Sequence, residues 1–201
     1  MNYARFINQI SSQRRPSIIR EMTQIMSTAG PEMIPLSGGL PNPAMFPFKE
    51  LSLTVSDNSK IQISGDQMKA ALQYLPTNGH PELLERLKAI QKSIHDPPTE
   101  TLENSGIITT VGSQDGLSKA MEMMMTEGGG IVIQDYVYPG LLAAMTPYNP
   151  KYIVVESDNA GLKPDKLQES LKNVPRDSND APKFLYINPT CLLYTSPSPR
   201  D

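Results

Sequence analysis

The sequence predicts an α/β fold: a mostly parallel sheet with helices on both faces, occupying residues 100–190. Three observations predict it. From residue 106 onward, short β-branched runs alternate with segments of helical spacing, the pattern of strand–helix–strand connections. The strand-like runs are short and rich in β-branched and other apolar residues, as buried strands are. And 201 residues with 38% apolar content are enough for one domain with a real core.

The elements follow in order. The first twenty residues, MNYARFINQISSQRRPSIIR, carry Arg5, Arg14, Arg15 and Arg20 and no acid. That composition is transit-peptide-like, and it equally suits an arm lying on the folded body. Residues 31–50, PEMIPLSGGLPNPAMFPFKE, are too rich in proline and glycine for a helix. An irregular loop packing Met45, Phe46 and Phe48 is expected there. DQMKAALQY (66–74) suits a short helix, which PTNG (76–79) breaks. Pro81 fits a first helical position, and Leu83, Leu84, Leu87, Ile90 and Ile94 follow at helical spacing to about His95.

From Gly106, GIITTV predicts a buried strand. The helix after it has Leu117, Ala120, Met121 and Met124 on one face. IVIQD predicts the next strand, PGLLAAM a helix, KYIVVE a third strand, KPDKLQESLKN a helix and KFLYI a fourth strand.

Composition narrows the function classes. A net charge of −3 is no nucleic-acid footprint, and no apolar run reaches the length that spans a bilayer. Cys191 is the only cysteine, which excludes a disulfide within the chain and a cysteine-based metal site. Two histidines, His80 and His95, are too few for a zinc cluster. No nucleic acid, membrane or metal partner is therefore expected.

In open α/β sheets, ligands sit at the carboxyl ends of the strands. Two such ends carry useful chemistry. At Val111-Gly112-Ser113-Gln114, Gly112 permits a tight turn and Ser113 can cap the next helix. Free backbone N–H groups and the helix dipole would then face an anion such as phosphate. The same residues also serve as an ordinary helix start. At Gln134-Asp135-Tyr136-Val137-Tyr138-Pro139-Gly140, a tyrosine past a strand end can offer its ring to a flat group and its hydroxyl to a polar atom, or simply line the core. Ser37-Gly38-Gly39 lets backbone approach a ligand closely, or is a plain turn.

Taken in order, LSGGLPNPAMFPF, ALQYLPTNGHPELLERL, TTVGSQDGL, DYVYPG and KFLYINP resemble the fold-type I, class I/II aminotransferases that use pyridoxal 5′-phosphate (PLP), most closely the kynurenine/α-aminoadipate branch. MNYARFI and PSIIREMT resemble the start of that branch, and the likeness runs collinearly over residues 1–190. The resemblance implies the N-terminal part of the large domain of that fold. It implies an arm and Gly/Pro-rich substrate loop over 1–50 and a partial large domain over 51–190.

It also implies roles. Gly112, Ser113 and Gln114 match the phosphate-binding turn. Tyr138 matches the tyrosine that packs on the PLP ring. Tyr74 matches a tyrosine that reaches the site of the partner subunit, which implies a homodimer. Arg20 and Gly39 match substrate contacts, Arg20 through a planar donor fork suited to a carboxylate. The family's Glu-Pro-Ala-Tyr is here Asp135-Tyr136-Val137-Tyr138, with a shorter acid and no proline.

The implied reaction passes the amino group of 2-aminoadipate, kynurenine or a similar amino acid to 2-oxoglutarate, in mitochondria or cytoplasm. An aromatic or broad-specificity aminotransferase is the alternative, and an aminotransferase-like sensor domain of a transcription regulator is the alternative of another class. The lysine that holds PLP covalently lies, in the family, downstream of KFLYI. No catalytic residue is therefore assigned, and the 201 residues alone are expected to be inactive. Pro189 aligns with a proline preceding the family's Asn-Pro-Thr-Gly, so Asn188 is not equated with its cofactor asparagine. CLLYTSPSPRD (191–201) resembles no part of the family. Leu192–Ser196 can be encoded by CTCTTATACACATCT, a transposase adapter, and the tail reads as translated adapter.

Overall fold

The computed structural model describes residues 3–30, 32–34, 36, 39–96, 98, 101, 104–158, 160–175 and 178–188. Ser37, Gly38 and everything from Pro189 on, including the tail expected to be adapter, lie outside the described residues. The chain forms two compact units: Met1–Arg14 with Thr110–Asp201, and Arg15–Thr109. The first of these opens with a 3₁₀ turn at Tyr3–Arg5 and helix α1 (Gln9–Ser12). The import-like segment is thus folded.

The unit Arg15–Thr109 begins with α2 (Ile18–Thr28), which leaves Ile18, Ile19 and Ile25 exposed. Strands β1 (Glu50–Thr54) and β2 (Lys60–Ser64) form an antiparallel hairpin. Leu51 stands opposite Ile63 and Leu53 opposite Ile61; the two-residue period puts all four on one face. The connection is closed by the Val55 N–H donating to Ser59 O at 2.9 Å, with Asn58 at φ +66°. This hairpin was not among the elements expected from the sequence. Gly65 (φ +55°) then turns the chain into α3 (Gly65–Leu72), which buries Met68. Helix α4 (Pro81–His95) starts on its proline and stops at Asp96, in the left-handed conformation.

Two sequence expectations are corrected here. Of the three side chains expected to pack in the 31–50 loop, only Phe46 is half-buried; Met45 is 79% exposed and Phe48 is exposed too. The order there is local and polar: Asn42 Oδ1 accepts the Ala44 N–H at 3.0 Å and starts a 3₁₀ turn at Pro43–Met45. Residues 106–111 form no strand. The Thr109 N–H and hydroxyl both donate to Asn78 O, at 2.9 and 3.3 Å, and Val111 is 98% exposed. A β-branched run becomes a strand only beside a partner, and here the backbone partner is a loop carbonyl.

The other unit carries the parallel sheet. Its elements after α1 are α5 (Ser113–Met124), β3 (Gly130–Gln134), α6 (Pro139–Met145), β4 (Lys151–Val155), a short antiparallel pair β5 (Ser157–Asp158) and β6 (Gly161–Leu162), α7 (Pro164–Leu171) and β7 (Leu185–Tyr186). Strand order is β4-β3-β7, all parallel, with Gln134 beside Val155 and Ile133 beside Tyr186. Every residue of β3 is buried. Ile131 and Ile133 join Met121, Met125, Leu141 and Met145 in the core, sealed by α5 and α6, while α7 packs on β4. The expected cover on both faces is complete over β3 only. Tyr152, Val154 and Leu185 stay partly open, and the fourth strand pairs over just two residues. Because the three strands are parallel, their carboxyl ends gather on one side.

Candidate functional site

Gly112 sits at φ +149°, ψ 173°, a region essentially closed to residues with a side chain. It, and not Ser113 as expected, is the helix cap; Ser113 is the first helical residue of α5. The Gly112 carbonyl accepts the Thr110 hydroxyl at 2.9 Å and the Gly116 N–H at 3.1 Å. The N–H groups of Ser113 and Gln114 have no protein partner among the described residues, as the first amides of a helix lack one within it. The nearby carboxylate is occupied elsewhere: Asp115 accepts the Lys119 ammonium at 2.6 Å and the Val111 N–H at 3.1 Å. Those two partners, Lys119 first, hold its carboxyl below the usual range. What remains at the helix start is a pair of aimed donors at the positive end of the dipole.

Tyr138 caps α6 next door and is 42% exposed. Its ring lies over Gly140, where a Cβ would run into the ring atoms. Gln114 Nε2 donates to the Gly140 carbonyl at 3.0 Å, so the starts of α5 and α6 are tied together. Tyr186, at the end of β7, has its phenol pushed above the ordinary 10.0 by burial first and by Tyr138 second. Gly112, Ser113 and Gln114 follow no strand of their own, and the Gln114–Gly140 bond brings their turn to the Tyr138 segment that leaves the carboxyl end of β3.

Beneath them runs a network that sequence reasoning missed. Gln134 is buried; its Oε1 accepts the Asn188 N–H at 2.8 Å and its Nε2 donates to Ser157 Oγ at 3.3 Å. Ser157 in turn donates to Asp135 Oδ1 at 2.6 Å. Burial pushes the Asp135 carboxyl up, but the Ser157 hydroxyl, the Ser157 and Tyr136 amides and its own amide outweigh that and hold it below the ordinary value. The available signal was a lone polar residue ending an otherwise apolar strand.

Arg20, Gly39 and Tyr74 belong to the unit Arg15–Thr109. Arg20 Nη1 reaches the Leu75 carbonyl at 3.4 Å, beside Tyr74, whose side chain is exposed. Gln73 ties this turn to the Gly-rich loop by donating to Pro41 O at 3.0 Å. A Cβ on Gly39 would meet nothing within 4 Å.

The donor pair at the α5 start, the glycine that exposes it and the half-open tyrosine ring fit a flat group bearing a phosphate. The comparisons agree with that chemistry. The model of the aminotransferase class I and II family matches residues 49–198. The mitochondrial kynurenine/alpha-aminoadipate aminotransferase of Bos taurus is 43% identical over 94% of this chain and 47% of its own length, and an aromatic amino acid aminotransferase of Dictyostelium discoideum is 28% identical over 96% and 42%. The chain thus spans about half the length of the curated relatives it matches. Among solved structures, the aminotransferase Aro8 of Candida albicans shares the fold, with a TM-score of 0.78 at 22% identity over 92% of this chain and 42% of that one. A kynurenine aminotransferase of Pyrococcus horikoshii, solved with PMP, scores 0.53 at 25% identity over 92% and 43%.

Proposed function

Because the chain belongs to the aminotransferase class I and II family, we propose that it is part of a PLP-dependent transaminase. The complete protein would move an amino group between 2-aminoadipate, kynurenine or a similar amino acid and 2-oxoglutarate. The observation that carries this reading is the bond that ties the start of α5, where the Ser113 and Gln114 amides have no protein partner among the described residues, to Gly140 under the Tyr138 ring.

Each residue has a definite task. Ser113 and Gln114 hold the phosphate through backbone N–H groups, with Gly112 turning the chain so that they face it. Tyr138 offers its ring face to the pyridine, and Gln114 keeps the α6 start under that ring. Arg20 grips a substrate carboxylate with its planar fork, beside Gly39. Tyr74 reaches the partner subunit's site in a homodimer. Bound PLP supplies an electron sink for the substrate's α-carbon. The lysine that moves the α-proton is proposed to lie beyond the 201 residues, so this stretch alone would bind and orient without turning over.

The substrate class rests on 43% identity to relatives named for kynurenine and alpha-aminoadipate, against 28% to the aromatic one. The relatives from Bos taurus and Mus musculus are named mitochondrial, which favours that compartment over the cytoplasm. The test is a steady-state panel on the complete protein with 2-oxoglutarate as acceptor. Higher kcat/KM with 2-aminoadipate and kynurenine than with tyrosine and phenylalanine is expected. The reverse order would establish the aromatic alternative, and no turnover with PLP present would sink the enzyme reading.

A further inference from the structure

Residues 3–14 combine two properties that point in opposite directions. They lie within the first twenty residues, whose Arg5, Arg14, Arg15 and Arg20 without an acid make a transit-peptide-like composition. Their structure is that of a built-in part. Asn8 is only 6% exposed. Its Nδ2 donates to the carbonyls of Glu122 and Met125, both at 2.7 Å, and its N–H to the Met123 carbonyl at 3.0 Å. Its Oδ1 accepts the Ser11 N–H at 2.8 Å.

The three carbonyls stand at the C-terminal end of α5, where a helix has no intrahelical donors left. One side chain therefore caps two helices: it starts α1 and finishes α5. The Ser11 hydroxyl adds a bond to the Glu122 carbonyl at 3.2 Å, and Arg14 pairs with the Glu122 carboxylate. The arm is seated on Met125, itself a core residue. Removal of the segment would take away the donors that Asn8 supplies to three carbonyls at this helix end and uncover Met125.

We propose that residues 3–14 are a permanent clasp of the α/β unit, anchored by Asn8, and that they stay in the mature protein even where their basic residues are read as an address. This is independent of the transaminase reading and its substrates.

Two experiments test it. The complete protein, tagged at its C-terminus and expressed in a eukaryotic cell, is recovered from its compartment and its N-terminus sequenced. The sequence is expected to include Asn8; a mature terminus at residue 9 or later overturns the clasp. In the second, Asn8→Ser and Asn8→Asp are compared with the parent by thermal melting. Aspartate keeps the acceptor for the Ser11 amide but turns a charge on the Glu122 and Met125 carbonyls. The expected order of Tm is parent, serine, aspartate, spread over several degrees, and failure of the aspartate variant alone to accumulate counts the same way. Equal melting of all three would show that Asn8 caps only its own short helix, and would overturn the proposal.

Discussion

Gln134 accepts the amide of Asn188 at 2.8 Å, so the side chain that ends the central strand also holds the backbone leaving its neighbour β7. With Ser157 on its other end, Gln134 joins segments far apart in sequence at the floor of the site. Gln134→Ala leaves the Asn188 N–H without its partner. A loss of about 1–3 kcal/mol is expected, as for a buried hydrogen-bonding group deprived of its mate. Urea unfolding gives the magnitude, and faster hydrogen exchange at the Asn188 amide gives the location; an unchanged amide would remove Gln134 from this role.

Gly112→Ala tests the cradle. Its φ of +149° is in a region that costs other residues about 1–3 kcal/mol. A Cβ added there would meet no neighbouring atom within 4 Å, so strain and not collision is the cause. In the complete protein, PLP affinity is expected to fall with stability, read by absorbance titration. Wild-type affinity would place the phosphate elsewhere.

Gly140→Ala tests the contact under Tyr138. The added methyl displaces the ring, an overpacking change of about 1–3 kcal/mol. In a Tyr138→Ala background that cost is expected to vanish, and a double-mutant cycle measures the coupling. Additive effects would mean that the ring does not rest on Gly140.

Asp135 sets an acid limit. Its carboxyl is held below the ordinary 3.8, so the unfolded chain takes up the proton first as pH falls. The stabilisation is fully present above that value and is lost as pH drops through the lower, folded value. Asp135→Asn is expected to lower stability at neutral pH and to flatten the acid limb of a Tm-against-pH curve. An acid limb of unchanged slope would assign the effect to other carboxylates.

Leu141→Ala and Val111→Ser separate core from surface. Leu141 is fully buried and its truncation is expected to cost about 2–5 kcal/mol. Val111 is nearly fully exposed, and its change should stay within about 0.5 kcal/mol. A large loss at Val111 would restore 106–111 as a buried strand.

The legible parts of the fold were those whose signal is local. Pro81 with the Leu/Ile stripe of α4, the unbroken GIVIQ of β3 and the Pro-Gly start of α6 each carry their own instruction. GIITTV misled because a β-branched run states a preference and not a partner. The hairpin of Glu50–Ser64 was written in the alternation of Leu51, Leu53, Ile61 and Ile63, with Asn58 at its turn, but its polar positions hid the strands. At the site, Gly112, Ser113, Gln114 and Tyr138 were named through the ordered resemblance to the aminotransferases; spacing alone left each open to an ordinary helix start or a core tyrosine. Asn8 and Gln134 were not: their partners lie 114, 117 and 54 residues away, and no local pattern encodes a bond of that reach.

The separation of Asn8 from its acceptors also orders events in time. A ribosome adding about 5–20 residues per second needs roughly 6–23 s between making Asn8 and making the 117th residue after it, Met125. Through that interval the basic arm has been synthesised and its dock has not. Folding then fixes the backbone of the arm on α5, while Arg5, Arg14 and Arg15 stay exposed at the surface. On the proposed clasp, these charges are on display both while the chain is nascent and once it is complete, with no cut needed between the two.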